Sequence, residues 1–480
     1  MKKSLLLASM AALTLSAAAQ GVDPAKYDVK DGYQLTNDWL MSRGNGENGV
    51  ALQDWLAMEG LFANAGKATM AVMEGDYIYI TCSTEYVPGV DEETGAPIMV
   101  LTDNGHVVKV DAKTGKFVKD LPLTYNGERL YGLICANWIG KDNAGHVLIG
   151  SYVSNCYDAT TNTAKPMNLY QLNTETGELT LVYNFEFDEA EGSSAGGRID
   201  YYDAAGDVVN GPGAFMAVPN ESAKSYIWIK DEGGEWDVTA EGYNVIEMRA
   251  TYPANQGAWN YSPMGSFVYD DSFDIWNLYF WMDGHTTKPS LYDQTGELTS
   301  SFAEYAGTKE EQSEWEAAGF FPETQPNGMR QFSFNDDAFL VYAVQFPDDN
   351  NMGGQMGIVK LGTNLTLEGA TPLWVAPAAK LGIKKGEGRF SHSFSVSEPI
   401  TDDNGKKAVR IMLYKDFNGL GVYTLAQEGF KNGVQDIEAA DNSNAPAEYF
   451  NLNGVRVQGE LAPGLYIKRQ GTEASKVVIR

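Results

Sequence analysis

The chain has 480 residues, and its 64 Asp and Glu against 35 Lys and Arg give a formal net charge of −29. So acidic a surface repels nucleic-acid backbones and anionic membranes, which excludes both as general partners and suits cations or neutral ligands such as sugars. Hydrophobic residues make up 43%, enough for a substantial core, and 51 glycines with 26 tyrosines fit many short strands and turns better than long helices.

The N-terminus reads as a signal peptide over residues 1–19. Lys2 and Lys3 supply the positive region, Leu5 to Leu15 the apolar run, and Ala17-Ala18-Ala19 the small-residue cleavage site before Gln20. That run is too short to cross a bilayer, and no later stretch approaches 18 uninterrupted apolar residues, so an exported chain without membrane insertion is expected. Cys82, Cys135 and Cys156 allow at most one internal disulfide; the alternatives are buried inert thiols or one pair, and no His stands in a motif that would support a catalytic thiol. Residues 20–66 read as irregular. The G-x-G-x-x-G at Gly44 to Gly49 lacks the βαβ alternation a dinucleotide site needs, so a loop is expected there.

From Val107 the chain repeats a hairpin. Val107 to Val118 alternates apolar and polar residues on either side of Asp111-Ala112-Lys113-Thr114-Gly115. Similar turns follow near Gly177, Gly234, Gly296, Asn364 and Glu428, spaced 62, 57, 62, 68 and 64 residues apart. A repeat of about 60 residues, six times, is the mark of a β-propeller. Inner strand pairs are expected ahead of each turn: Thr69–Met73 with Tyr77–Thr81, Leu133–Trp138 with His146–Tyr152, Gly265–Tyr269 with Ile275–Met282, Arg330–Phe334 with Phe339–Phe346, and Phe390–Val396 with Ala408–Tyr414. The third unit is expected from about Gly213 to Tyr243. Residues 27–42 are expected to supply the strand that closes the ring. A capping box at Thr308 to Glu311 predicts a short helix ending at Gly319. The fold class is therefore all-β, a six-bladed propeller over residues 20–432, with seven blades the alternative if residues 20–66 form a unit. A polar linker (433–447) and a small C-terminal β module (448–480) follow.

The tail carries a resemblance. Tyr449-Phe450-Asn451-Leu452-Asn453-Gly454-Val455, then Pro463-Gly464-Leu465-Tyr466 and a final Lys476-Val477-Val478-Ile479-Arg480, resemble the C-terminal sorting domain of the type IX secretion family. The match covers about 33 of 480 residues and is shorter than full sorting domains. The resemblance implies export from a diderm bacterium, to the outer surface or beyond it; the body looks like the secreted propellers of unknown function that bear such tails.

Other motifs point to structure. The G-x-S-x-G at Gly192 to Gly196 follows an acidic stretch and has no helix after it, so a loop is expected rather than a nucleophile elbow. Asp231 to Trp236 partly resembles the Asp-box turn of sialidase-type propellers, with Ile229 and Glu235 departing from it; an ordinary hairpin is expected. Acidic doublets (Asp270-Asp271, Asp336-Asp337, Asp348-Asp349, Asp402-Asp403) read as solvated turns, with Ca²⁺ binding the alternative; no other cofactor is implied. His106 and His146 share a Gly-His-Val context, which points to a repeat position.

Ligands of propellers usually meet one mouth of the central channel. The segments leading into the inner strands hold Asn137, Trp138, Trp259, Tyr261, Arg330, Arg389 and His392, aromatic and hydrogen-bonding groups suited to a sugar face, with packing between blades as the alternative. Three functions remain open at this stage: a binding protein for a glycan or another surface protein, a polysaccharide hydrolase or lyase using carboxylates at the channel, and a structural surface component.

Overall fold

The computed structural model describes residues 26–42, 70–82, 85–102, 104–130, 138–150, 157–158, 163–164, 166–186, 199–219, 224–237, 244–247, 264–268, 278–282, 289–293, 297–301, 328–344, 355–378, 392–415, 419–431, 448–450, 464–470 and 473–479.

The repeated turn has a local cause. Asp111 Oδ1 accepts the backbone N–H groups of Lys113 and Thr114, at 3.0 and 2.8 Å, and the Thr114 hydroxyl, at 2.8 Å. Gly115 takes φ +67°, open to glycine at little cost, and its N–H returns to Asp111 O at 2.8 Å. Asp91 to Gly95 closes in the same way, and Asn173 to Gly177 does so with an asparagine at the first position. A side chain that ties its own backbone into a turn brings the flanking strands into antiparallel register.

Two compact units result: residues 1–399 with 408–426, and residues 400–407 with 427–480. The first is a succession of antiparallel meanders. The first sheet runs Ala71–Glu74, Tyr77–Cys82, His106–Asp111, Phe117–Pro122. The second runs Trp138–Lys141, Val147–Gly150, Pro166–Leu172, Leu179–Glu186, and the third Ile199–Gly206, Gly213–Pro219, Lys224–Lys230, Trp236–Asp237. Then come Met264–Phe267, Leu278–Met282, Ser290–Asp293, Leu298–Ser301, and after them Met329–Phe334, Asp337–Val344, Gln355–Lys360, Trp374–Ala376. The last is built from His392–Val396, Lys407–Lys415 and Gly419–Gln427, with Tyr33–Ser42 from the N-terminal end as its outermost strand.

The first strand of each sheet packs against the first strand of the next, and His392–Val396 packs against Ala71–Glu74. This is a β-propeller arrangement of at least five blades. Its helical content among the described residues is one 3-10 turn, Thr363–Leu365.

Between neighbouring sheets lie apolar layers. Ile78, Val110, Tyr414 and Val422 fill the space between last and first sheets; Tyr79, Leu148, Tyr202 and Trp228 continue through the second and third. Met216, Phe267 and Tyr292 join the third to the fourth, Leu291, Leu340 and Val359 the fourth to the fifth, and Phe339, Ile358, Ile411 and Tyr423 the fifth to the last. Each sheet is therefore buried on both faces, as stacked sheets with interdigitating side chains require. The closing strand is fastened by side chains: Trp39 Nε1 donates to Ala112 O at 2.8 Å, and the Thr424 hydroxyl donates to Asp38 Oδ2 at 2.7 Å.

Two expectations need correction. The third sheet begins at Ile199, not near Gly213; Ile199–Gly206 (I-D-Y-Y-D-A-A-G) carries two acids and small residues where an apolar alternation was sought. The turn expected near Glu428 does not close a hairpin, because the strand beside Gly419–Gln427 comes from the other end of the chain. The Cys82 thiol is buried and free, and burial pushes it well above its usual pKa; Cys135 and Cys156 lie outside the described residues, as do the G-x-G-x-x-G, the G-x-S-x-G and the 308–319 helix.

In the second unit a three-stranded antiparallel sheet forms from Glu448–Phe450, Gly464–Gln470 and Glu473–Ile479, with Gly464 opposite Ile479. Here too is the Asp402 turn, whose Oδ1 accepts the N–H groups of Asn404 and Lys406, both at 2.8 Å.

Candidate functional site

A strand bordering a channel has one edge without a ladder partner, and its backbone groups need other partners. Polar side chains from the adjacent sheet supply them. Ser393 Oγ accepts Ala71 N–H at 3.2 Å, and the Ser395 hydroxyl donates to Met73 O at 3.0 Å. Asp203 Oδ2 accepts Phe267 N–H at 2.8 Å, and Asn143 Oδ1 accepts Gly206 N–H at 2.8 Å.

Asp203 is 3% exposed, and its other oxygen takes a short charge-assisted hydrogen bond from Arg330 Nη1. The pair spans the channel wall from the third sheet to the fifth. Burial pushes the Asp203 carboxyl above its usual range, against the pull of the Arg330 charge. Burial likewise opposes the Arg330 charge, but Asp203 outweighs it and holds the guanidinium firmly protonated. The Tyr201 phenol is pushed up by burial, with the Asp203 charge adding to the effect.

Two cavities flank this pair. One, of about 30 Å³, lies among Met70, Val72, Trp138, Tyr201, Arg330 and Phe394. It has room for one or two waters and no more. The other, of about 740 Å³, lies where the innermost strands leave the channel wall, and its size falls in the range of small-molecule sites. Its polar lining includes Lys141, Asn143, Arg330, Gln331, Ser333 and Glu398; Phe267, Phe332, Leu365 and Val396 supply apolar surface.

Among the described residues of the lining, both cations are already neutralised. Lys141 Nζ lies 2.8 Å from Glu74 Oε2, and Arg330 is held by Asp203. Gln331 is 5% exposed, and its carbonyl oxygen has no hydrogen-bond partner. A buried amide oxygen left so costs about 1–3 kcal/mol relative to one that is paired.

Beside the cavity, a second polar cluster joins the 142–146 turn to the 207–212 turn. Asp142 Oδ1 accepts His146 N–H at 2.9 Å; its Oδ2 accepts Val208 N–H at 3.1 Å and meets His146 Nδ1 at 3.0 Å. Asp207 Oδ1 lies 3.4 Å from the same ring nitrogen, and Asn210 Nδ2 lies 3.2 Å from His146 Nε2. Burial raises the Asp142 carboxyl, with the His146 contacts pulling against it. Asp142, His146 and Asp207 place atoms suited to metal ligation within 4.8 Å of one another. Their hydrogen bonds to backbone and ring already occupy them as a clasp between the second and third sheets.

Of the residues expected at the site, Arg330 lines both cavities. Trp138 lines only the small one; it is 3% exposed, lies over Gly140, and meets the Tyr202 ring at 5.4 Å. His392 stands in the innermost strand opposite Lys415. Asn137, Trp259, Tyr261 and Arg389 lie outside the described residues. The large cavity gathers the Lys141 and Val396 ends of their strands, whereas Trp138 and His392 stand at the beginnings of the same two strands. Gln331, Lys141 and Asn143 were missed; Gln331 follows Arg330 in the strand M-R-Q-F-S-F, where three polar residues interrupt the apolar pattern. Asp231 to Trp236 is a hairpin turn, with Asp231 Oδ1 accepting Glu235 N–H at 2.9 Å.

No protein-family model matches the sequence, and no curated protein matches it. Among solved structures, a DUF4623 family protein from Bacteroides eggerthii is 14% identical, with a TM-score of 0.47 over 75% of this chain and 71% of that one. Sqt1 from Saccharomyces cerevisiae is 8% identical, with a TM-score of 0.36 over 76% and 96%. A mutant of Trypanosoma rangeli sialidase displaying trans-sialidase activity is 8% identical, with a TM-score of 0.35 over 85% and 60%.

Proposed function

We propose that this is an exported, six-bladed propeller that binds a ligand, a glycan or another surface protein, at the mouth of its channel. The single observation that carries the reading is the cavity of about 740 Å³ at the ends of the innermost strands, walled by five different sheets and holding both apolar and hydrogen-bonding side chains. Closed order among the innermost strands supports the blade number. Residues 1–19 serve as the signal peptide, and the 448–480 sheet as a sorting or retention module of the kind its sequence resembles.

A hydrolase or lyase is the second reading, favoured by one observation: two acidic residues, Glu398 at the surface and Asp142 with its carboxyl buried behind it, belong to the wall of the same cavity, and burial raises the Asp142 carboxyl. Asp142 is held by two backbone N–H groups and a histidine, which leaves little freedom for proton transfer. The test for both is a glycan array and a hydrolysis screen on the exported chain. Binding without turnover supports the first reading, and turnover lost in Glu398→Gln supports the second. No binding and no turnover across host and plant glycans removes both.

A further inference from the structure

We infer that the hairpin formed by Glu85–Val90 and Pro97–Thr102 docks an extended, Lys- or Arg-bearing segment of another protein, which adds to the Pro97–Thr102 edge as a third strand. The hairpin is independent of the large cavity. It leaves the first sheet at Cys82 and returns at His106, and Thr81 N–H donates to Met70 O at 2.9 Å, beside the start of an innermost strand. The cavity lies where the innermost strands end.

Two strands joined by a turn are only marginally stable by themselves. This pair stands off the blades: among the described residues no third strand joins it, and neither strand packs closely on any other. Its two edges differ. Proline has no N–H, so Pro88 with Met99, and Val90 with Pro97, are pairs that exchange no ladder hydrogen bonds. The bond from Asp91 N–H to Ala96 O, 2.9 Å and one step further on, fits that alternation. Residues of such pairs turn their backbone groups outward. On the Glu85–Val90 edge, Pro88 breaks the row of donors. On the other edge Pro97 stands at the very start, and beyond it Met99 and Leu101 each present an N–H and a C=O.

Apolar surface flanks that open edge. Ile98 and Val100, two apart and so on one face, are 40% and 39% exposed; Val90, on the other face, is 63% exposed. Val100 lies across Gly89, where a Cβ would collide with it. The side chains of an added strand would flank Ile98 and Val100 on one face and Pro97 on the other. Charge selects the partner. Residues 85–102 hold four acids, Glu85, Asp91, Glu92 and Glu93, and no Lys, Arg or His. Glu92 and Glu93 are exposed at the tip. A second copy would bring the same acids and another −29 to this edge, whereas a cationic segment offsets them.

The experiment titrates three short probe peptides into the exported chain. One alternates Val and Lys, one alternates Val and Glu, and the third is the Val-Lys peptide N-methylated along its length, which keeps the charge and removes the N–H donors of both its edges. Fluorescence anisotropy reads affinity, and hydrogen exchange reads the Met99 and Leu101 amides. The Val-Lys peptide is expected to bind and to slow exchange at both amides. Binding should be tenfold or more weaker in Met99→Pro, in the double variant Glu92→Lys with Glu93→Lys, and for the methylated probe. Equal binding of the Val-Glu peptide overturns the charge argument. Equal binding of the methylated probe, or unslowed exchange at Met99 and Leu101, reveals bare attraction to an acidic chain and overturns strand addition. Affinity unchanged in Met99→Pro overturns the location. A dimer in sedimentation that Met99→Pro abolishes overturns the foreign partner in favour of a second copy. Should Met99→Pro fail to fold, the methylated probe and the exchange readout still decide. Glycan binding by the unaltered chain bears only on the cavity, so the two readings stand or fall separately.

Discussion

The clasp between the second and third sheets and the cavity beside it draw on the same materials, a buried aspartate, a basic or ring nitrogen and an amide, but end in opposite states. In the clasp both Asp142 oxygens accept backbone N–H groups, and both His146 ring nitrogens have neighbours within 3.2 Å. At the cavity Asp203 is equally well matched, whereas the next residue after Arg330 keeps a buried oxygen without a partner. A polar network satisfied from within fixes two sheets against each other. One that keeps a buried atom unpaired carries a cost within the fold that the clasp does not.

That contrast can be broken first at Asp203. Asp203→Ala leaves a buried guanidinium without its counter-charge and Phe267 N–H without an acceptor, and is expected to lower stability by about 3–5 kcal/mol. The paired change Asp203→Leu with Arg330→Met removes both charges and should recover most of that loss. Denaturant unfolding of the singles and the double decides; a double no better than the sum of its singles would show that the pair is not coupled. On the clasp, Asp142→Ala strands two backbone N–H groups and is expected to cost about 2–4 kcal/mol. Gln331→Leu should do the reverse, leaving Tm unchanged or slightly higher, because it deletes an unsatisfied atom. If it destabilises like Asp142→Ala, the two clusters are of one kind and the contrast fails.

How much of this was readable in the sequence follows from how local each cause is. The Asp-x-x-Thr-Gly turn satisfies itself within five residues, so its recurrence disclosed the propeller before any tertiary contact was known. Closure by an N-terminal strand was also expected, and Tyr33–Ser42 lies beside Gly419–Gln427. The strand Ile199–Gly206 was hidden because Asp203 and its small residues serve the channel rather than a two-faced alternation. The cavity was hidden for a related reason: it gathers residues from five sheets, 257 positions apart between Lys141 and Glu398, and no periodicity links them. Arg330 alone was singled out in advance among its lining.

Glycines sharpen the picture at the turns. Gly177 has φ +84°, and a Cβ there would lie 2.3 Å from Pro122 O, in the neighbouring sheet. Gly369 has φ +70° with nothing within 4 Å. Alanine at either position meets the strain of a left-handed backbone, about 1 kcal/mol. Only Gly177→Ala must also push two sheets apart, so it should be the more damaging by a further 1–2 kcal/mol, at the order-of-magnitude level of overpacking. Equal losses in thermal unfolding would mean that the turn is free of the sheet beside it.

The smallest expected effect lies at the outer part of the first seam. Lys109 is buried among Tyr77 and Tyr79, and its Nζ lies 2.6 Å from Glu175 Oε1, while Lys119 reaches Oε2 at 2.8 Å. The hydrogen bonds from Lys109 and then Lys119 hold the Glu175 carboxyl at about 2, below its ordinary 4.5. A depressed carboxylate stabilises the fold above its unfolded pKa, and that stabilisation fades as pH falls from about 4.5 toward 2. Glu175→Gln should therefore flatten the acid limb of the Tm-against-pH curve over that window and leave a constant, small offset above pH 5. Because Glu175 is largely exposed, salt should shrink the offset. An acid limb identical in both proteins would show that the exposed carboxylate adds nothing to the buried lysine's own contacts, and that this seam, unlike the clasp at Asp142, is held by apolar packing alone.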